Sequence, residues 1–207
     1  MNEPTIVRQP EPCEFMPQDY FARLDPESIF ENQQPLEVDL GCGDGSFLIA
    51  MAKQYPERNF LGVERLLGRV KKVAKKAHKS QLDNCKVLRL ESKYTIEWLF
   101  AQASISRLHL LCPDPWPKAK HHKRRLIQQD FLESIYKALK PGGEFCFKTD
   151  HCEYYEWALE HIEEFKKFQP LEWDEDSFFY PKTDFQIQWE SQGKSIHALR
   201  VRKPSNT

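Results

Sequence analysis

The chain has 207 residues, 40% of them hydrophobic and 29% charged, which is enough for one globular domain with a proper core. No apolar run is long enough to span a bilayer and residues 1–15 lack the apolar core of a secretion signal, so membrane functions are excluded and a cytoplasmic protein is expected. The formal net charge of -1 excludes a uniformly basic or acidic molecule, but the charge is segregated. Arg65, Arg69, Lys71, Lys72, Lys75, Lys76 and Lys79 form one basic run, and residues 118–125 form a second. Acids gather late, at Glu153, Glu156, Glu160, Glu163, Glu164, Glu172, Asp174, Glu175 and Asp176. Such segregation suits a polyanion docked on one face, or two solvated helix faces. The six cysteines are scattered without a C-x-x-C pair, so they read as reduced thiols and no metal site is expected.

Residues 1–35, rich in proline and polar groups, are expected to be an N-terminal extension that wraps the domain or is partly mobile, with the domain proper at 36–207. From there short apolar runs alternate with helical patterns. LEVDL (36–40) predicts a buried strand and 45–54 a helix; NFLGVE (59–64) a second strand and 66–79 a basic helix. KVLRL (86–90) predicts a third strand with a helix near 96–103, and RLHLLC (107–112) a fourth strand. An amphipathic helix over 126–140 ends at Pro141, Gly142 and Gly143; EFCFKT (144–149) follows as strand five and 154–165 as a helix. Near the end, Thr183, Asp184, Phe185 and Gln186 have the form of a capping box opening a short helix that Gly193 closes, and 195–202 alternates as a strand does. Strand–helix alternation of this kind predicts a single, doubly wound α/β domain built of βαβ units around a parallel sheet.

Two stretches carry chemistry. The first, Asp39-Leu40-Gly41-Cys42-Gly43-Asp44-Gly45, follows strand one and opens a helix, where glycines let backbone approach a ligand at a helix N-terminus. Glu64 ends strand two, 25 residues beyond Asp39, where an acid can accept hydrogen bonds from ribose hydroxyls, and Glu91 follows strand three on the same sheet edge. The spacing G-x-G-x-G departs from the dinucleotide G-x-G-x-x-G, so an NAD-binding dehydrogenase is the minor alternative. These residues resemble the class I methyltransferases that use S-adenosylmethionine, and the resemblance implies a single α/β, Rossmann-like domain with a doubly wound, mostly parallel seven-stranded sheet and an antiparallel C-terminal strand. The resemblance implies that the loop with Gly41, Gly43 and Gly45 wraps the cofactor. It further implies Asp39 near the cofactor's amino-acid part, Glu64 on the ribose and Glu91 near the adenine.

The second stretch follows strand four: Cys112, then PDPWPKAKHHKRRL over 113–126. Proline fixes its own φ and pushes its predecessor towards extended geometry, so Pro113, Pro115 and Pro117 predict a stiff, non-helical finger presenting Asp114 and Trp116. A rigid acid and an indole ahead of a cationic tract suit a pocket for a base beside a grip on phosphates. With Lys148, Thr149 and Asp150 after strand five and T-D-F-Q at 183–186, the chain over about 36–202 resembles the bacterial tRNA (guanine-N7)-methyltransferases. That resemblance implies methyl transfer to N7 of a guanine in the variable loop of tRNA. It implies Asp114 as the catalytic acid, also beside the cofactor, and Lys118, Asp150, Thr183, Asp184, Phe185 and Gln186 as substrate contacts. Asp184 and Gln186 depart from the basic residue and glutamate usual in that family.

Guanine N7 carries an in-plane lone pair and no hydrogen, so orientation and charge stabilisation suffice, and His121 and His122 read as phosphate or surface groups. Residues 123–125 and the helix at 66–79 read as the grip on the RNA backbone, with Lys75 and Lys76 separable from cofactor binding. Trp116 is a stacking wall or a packing indole. No obligatory protein partner is expected, and the chain is a monomer or homodimer. The alternatives are a methyltransferase acting on an exocyclic amino group of a base, or a non-catalytic RNA-binding protein on the same scaffold.

Overall fold

The computed structural model of the chain describes residues 9–174 and 178–205. Residues 1–8 of the N-terminal stretch, Glu175 and Asp176 of the acidic run and residues 206–207 lie outside the described residues. Eight strands form one sheet in the order β1-β4-β3-β2-β5-β6-β8-β7. They are β1 (Glu14–Phe15), β2 (Leu36–Leu40), β3 (Asn59–Val63), β4 (Cys85–Leu88), β5 (Ile105–Leu111), β6 (Leu139–Thr149), β7 (Gln169–Leu171) and β8 (His197–Arg202). β1 to β6 run parallel, and β8 joins β6 and β7 antiparallel. The expected seven strands become eight because Glu14 and Phe15 pair with Val87 and Leu88 at the sheet edge.

The chain leaves β2 outward through β3 and β4, then returns to place β5 on the other side of β2. The carboxyl ends of β2 and β5 therefore flank a topological switch point, where open α/β sheets form a crevice that binds ligands. The glycine loop follows β2 and the proline finger follows β5, so topology alone sets the two motifs face to face across it.

The helices are α1 (Pro26–Phe30), α2 (Ser46–Gln54), α3 (Leu67–Lys79), α4 (Ser92–Tyr94), α5 (Gln129–Ala138), α6 (Cys152–Phe165) and α7 (Asp184–Ser191). A π-helical turn covers Thr95–Leu99 and a 3-10 helix Ala119–Arg124. Two apolar cores result. On one side of the sheet Phe47, Met51, Val70, Val73 and Ala77 from α2 and α3 cover Phe60, Cys85 and Val87. On the other side Phe131, Leu132, Ile135, Tyr154 and Ala158 from α5 and α6 cover Val38, Leu108, Leu110, Phe145 and Phe147.

Three boundaries differ from the sequence expectation, each because tertiary partners claim the backbone. The helix expected near 96–103 instead starts at Ser92, where Glu91 accepts from the Tyr94 N–H, and stops at Phe100. There Leu24 bridges to Phe100, and the Arg23 guanidinium donates to the Phe100 carbonyl. The helix expected from 126 starts at Gln129, because the Leu126 and Ile127 N–H groups donate to the Tyr154 hydroxyl. It ends at Ala138 because Leu139 already pairs with Ile105, so Pro141, Gly142 and Gly143 sit in an irregularity of β6 and not ahead of it. Residues 20–24 lie against 94–101 through Leu24 with Leu99 and Ala101 and through the Tyr20 carbonyl, which accepts from Tyr94 Oη.

Candidate active site

One side of the crevice begins at the turn out of β2. The Gly41 and Cys42 N–H groups both donate to the Val63 carbonyl, which folds the loop back over β3 before α2 starts at Ser46. Gly45 has φ +79°, and a Cβ there would lie 2.9 Å from Val73 of α3, so no side chain fits between loop and helix. Gly62 of β3 plays a matching part underneath, where a Cβ would meet Cys42 Sγ and Leu48 Cδ2 at 2.7 Å. The loop is thus held down by close packing below, while nothing lies within 4 Å of a Cβ position at Gly41, so its backbone stays open to a ligand above.

Lys76 of α3 braces the loop: its Nζ donates to Asp44 Oδ2 at 2.7 Å and to the Asp44 carbonyl at 3.0 Å. Partial burial would raise the Asp44 carboxyl, but the Lys76 hydrogen bond and charge, with the Ser46 N–H, hold it down at about 2. Lys72 approaches the same carboxylate at 3.9 Å, Arg69 lies 3.7 Å from Glu64, and Lys75 lies 3.6 Å from Glu11. The reading of these lysines as an RNA grip separate from the glycine loop changes for Lys76 alone, since Lys75 reaches Glu11 and not the loop. Lys76 belongs to the glycine loop.

Asp39 is buried near the carboxyl end of β2, and its carboxylate accepts no hydrogen bond from a described residue. Its burial, with the charge of Glu64 added, pushes its carboxyl up to about 7. Glu64 accepts from the Leu66 N–H at 2.8 Å through Oε1, while Glu91 is tied by Oε2 to the Tyr94 N–H at 2.8 Å. Two buried carboxylates crowded together with a single distant guanidinium want a cationic ligand. An ammonium group with hydroxyls nearby fits this donor set.

The opposite side is the finger. Cys112 (φ +50°) and Trp116 (φ +45°) both precede a proline yet take left-handed backbone, against the extended geometry expected there. Strain of that kind persists only where surroundings over-determine it, and here they do. Arg125, buried at the end of the 3-10 helix, donates from Nε to the Pro115 carbonyl at 2.9 Å and pairs with Glu153 at 3.1 Å. Its guanidinium lies over the rings of Tyr154 and Trp157, each centroid 5.2 Å away. Tyr154 takes the Leu126 and Ile127 N–H groups, and Trp157 donates to the Ile127 carbonyl at 2.7 Å. Arg125 therefore rivets the finger to α6 and is not the backbone grip that its place in the basic run suggested. Arg124 instead sits over the Trp116 ring at 4.9 Å, and His121 lies beside the same indole.

Together these elements line one cleft of about 860 Å³. Of the residues expected from sequence, Asp39, Gly41, Gly43, Glu64, Glu91, Asp114, Thr183, Asp184 and Phe185 line it, with Asp114 exposed on its finger wall. Gly45 lies beneath the loop, while Lys118, Asp150 and Gln186 lie off the cleft wall. Lys118 is exposed at the start of the 3-10 helix, and Asp150 lies 3.7 Å from Lys194. Thr183 caps α7 by accepting from the Gln186 N–H, and the buried Gln186 side chain turns inward to Glu190 and Lys148. The capping-box reading holds for that half, and the substrate contact from Gln186 would require it to turn round. The wall also holds Arg69 and Lys72 from the first basic run, and Phe47 and Gln188, which no motif marked.

What aims α7 at the cleft is a buried polar layer that the apolar-looking β5 concealed. Glu37, Arg107, His109, Glu144 and Arg200 from β2, β5, β6 and β8 are linked across one sheet face. Burial pushes the Glu37 carboxyl up, but the His109 hydrogen bond and the Arg107 and Arg58 charges outweigh it and keep it ionised. Burial also lowers the His109 imidazole below its ordinary value. A neutral ring donating from Nε2 to Glu37 (2.9 Å) and accepting at Nδ1 from the Tyr180 hydroxyl (2.8 Å) satisfies all three groups. Phe178 covers Arg107 and Arg200, and Trp173 and Tyr180 cover Lys148. The tail is thus seated by aromatic rings on cations, three residues before Thr183.

The family model Methyltransf_4, "Putative methyltransferase", matches residues 33–199. Among curated relatives, the tRNA (guanine-N(7)-)-methyltransferase of Syntrophotalea carbinolica is 33% identical over 87% of this chain and 79% of that protein. Those of Limosilactobacillus fermentum (33%, 98% and 95%) and Oenococcus oeni (41%, 74% and 68%) agree. Among solved structures, the 16S rRNA methyltransferase KamB superposes with a TM-score of 0.63 at 18% identity, covering 88% of this chain and 95% of that one, which supports the fold. The chain belongs to the tRNA (guanine-N7)-methyltransferase family, within the methyltransferases that the matching family model describes.

Proposed function

We propose that this cleft transfers a methyl group from S-adenosylmethionine to N7 of a guanine in tRNA, the variable-loop guanine being the target. The observation that carries the reading is the juxtaposition across the switch point of the glycine loop with Asp39 and Glu64 and the riveted finger with Asp114. When bound, S-adenosylmethionine supplies a methyl group activated by its sulfonium.

The residues of the chain do the rest. Asp39 takes the ammonium of the cofactor and Glu64 its ribose diol, while the open backbone at Gly41 and Gly43 lets the ligand lie close to the loop. Glu91 stands at the adenine end while it caps α4. Asp114 faces the purine. As the N7–methyl bond forms, positive charge develops on the guanine, and a fixed carboxylate stabilises it without any proton having to leave N7. The left-handed backbone at Cys112 and Trp116, pinned by Arg125, keeps that carboxylate in place before substrate arrives. Trp116, stiffened by Arg124, forms a wall against which an unstacked base can lie. Thr183, Asp184 and Phe185 close the far rim, with Lys118 and Asp150 as outlying contacts to the RNA. We place the enzyme in the cytoplasm with its substrate; among the described residues no helix is long and apolar enough to cross a membrane.

The test is incubation with methyl-labelled S-adenosylmethionine and bulk unmodified tRNA, followed by borohydride and aniline cleavage. Label at a single position that cleaves supports the reading. Label in exocyclic amino groups, which this chemistry leaves intact, would contradict it.

A further inference from the structure

The cleft does not end at Glu91. A second groove of about 380 Å³ leaves it there, sharing Glu91, Arg124 and Leu126 with the first and passing Lys93, Lys123 and Trp98. Trp98 stands on the π-helical turn with Ile96 and Leu99 buried beside it, yet 59% of its own surface is exposed. A further hollow lined by Arg23, Gln102 and Lys137 lies behind the indole, so Trp98 is a ridge between two grooves. Phe21, 90% exposed, lies on the same edge, between Tyr20, whose carbonyl accepts from Tyr94 Oη, and Arg23, which donates to the Phe100 carbonyl.

The charges along this path leave room for an anion. The acids present are already engaged: Glu97 and Asp130 both pair with Lys93, and Glu91 accepts from the Tyr94 N–H. Lys123 is exposed and has no acidic partner among the described residues. An exposed indole on a turn anchored by buried Ile96 and Leu99, next to an unpaired lysine and continuous with a site for an unstacked base, has the make-up of a stacking platform for single-stranded nucleic acid.

We propose that unpaired nucleotides flanking the target guanine run along this second groove, with one base stacked on Trp98 and an adjoining phosphate held by Lys123. This rests on the reading of the cleft as an RNA-modifying site. It adds that the substrate is recognised as a locally single-stranded segment, about as long as the path from Asp114 to Trp98. The groove's continuity with the cleft favours RNA over a protein partner as its occupant.

Binding of an unmodified tRNA transcript, followed without cofactor as a function of salt, tests the idea together with turnover. Trp98→Ala should weaken binding and raise KM for tRNA about tenfold, with the loss carried by KM and not kcat, and with S-adenosylmethionine affinity within twofold of wild type. Trp98→Phe, which keeps a ring, should recover most of the loss, and both variants should keep the wild-type denaturant midpoint, whereas a loss of RNA affinity that tracks a lowered midpoint would mark a purely structural role and overturn the proposal. Lys123→Ala should lower the salt slope by about one. Unchanged KM in Trp98→Ala would overturn the proposal while leaving the methyltransferase reading intact, and so would loss of self-association in that variant with RNA binding untouched. Absence of any RNA binding by the wild-type protein would remove both.

Discussion

Asp39 and Asp114 are both carboxylates of the same cleft, but their surroundings give them different work. Asp39 is buried beside Glu64 and its carboxyl stands at about 7; Asp114 is exposed on the finger. A carboxyl raised in the folded protein is protonated below about pH 7 and ionised above it, and only the ionised form attracts an ammonium. Cofactor affinity should therefore fall about tenfold per pH unit below pH 7 and level off above it, a profile that titration calorimetry would record and that Asp39→Asn should flatten. The same sign makes the ligand-free fold lose stability as pH rises from the ordinary carboxylate value through about 7, and Asp39→Asn should remove that slope too. A wild-type affinity independent of pH between 6 and 8 would contradict the assignment.

Both the glycine loop and the finger are held by a cation borrowed from elsewhere in the chain, and the sequence showed the cations without their partners. Lys76 sits 32 residues from Asp44 and Arg125 sits 28 from Glu153. In the sequence each is one member of a basic run, with nothing to mark it off from Lys71 or Lys123. The strands and helices were legible because apolar periodicity reports burial, and the glycine loop and finger were legible because glycine and proline restrict backbone directly. Which lysine or arginine turns inward depends on a long-range partner, so it was not. Two consequences can be measured. Lys76→Met should weaken cofactor binding by about three- to tenfold, a modest figure because the pair is partly exposed. Arg125→Met should cost about 2–4 kcal/mol in denaturant unfolding, since it leaves the Pro115 carbonyl without its donor and strips two rings of their cation. If Arg125→Met unfolds like wild type, the finger is held by its prolines alone.

The architecture as a whole joins these parts through the order of its strands. Returning from β4 to β5 puts the loop after β2 opposite the loop after β5, and the tail crosses the remaining sheet face to bring Thr183 to the third side. The parallel sheet could be read from the alternation of strands and helices, because each pattern reflects burial along its own length, whereas the antiparallel direction of β8 came from the family resemblance. The polar layer under the tail could be read from neither. Arg107 and His109 read as two polar residues in RLHLLC, and only the sheet register sets them opposite Glu37 and Asp39 of β2, with His109 beneath Tyr180. The count of strands was short by one for a related reason: Glu14 and Phe15 are too brief a pair to show a period.

All of this converges on the finger facing a purine beside a methyl donor. The most direct measurement is single-turnover methylation of an unmodified tRNA transcript by wild type and Asp114→Asn, with the product mapped by N7-specific chain cleavage and cofactor affinity measured in parallel. The expected result is one cleavage position, a rate in Asp114→Asn lower by about 10²–10³, and unchanged cofactor affinity. A near-normal rate in Asp114→Asn, or label that survives cleavage, would contradict the account.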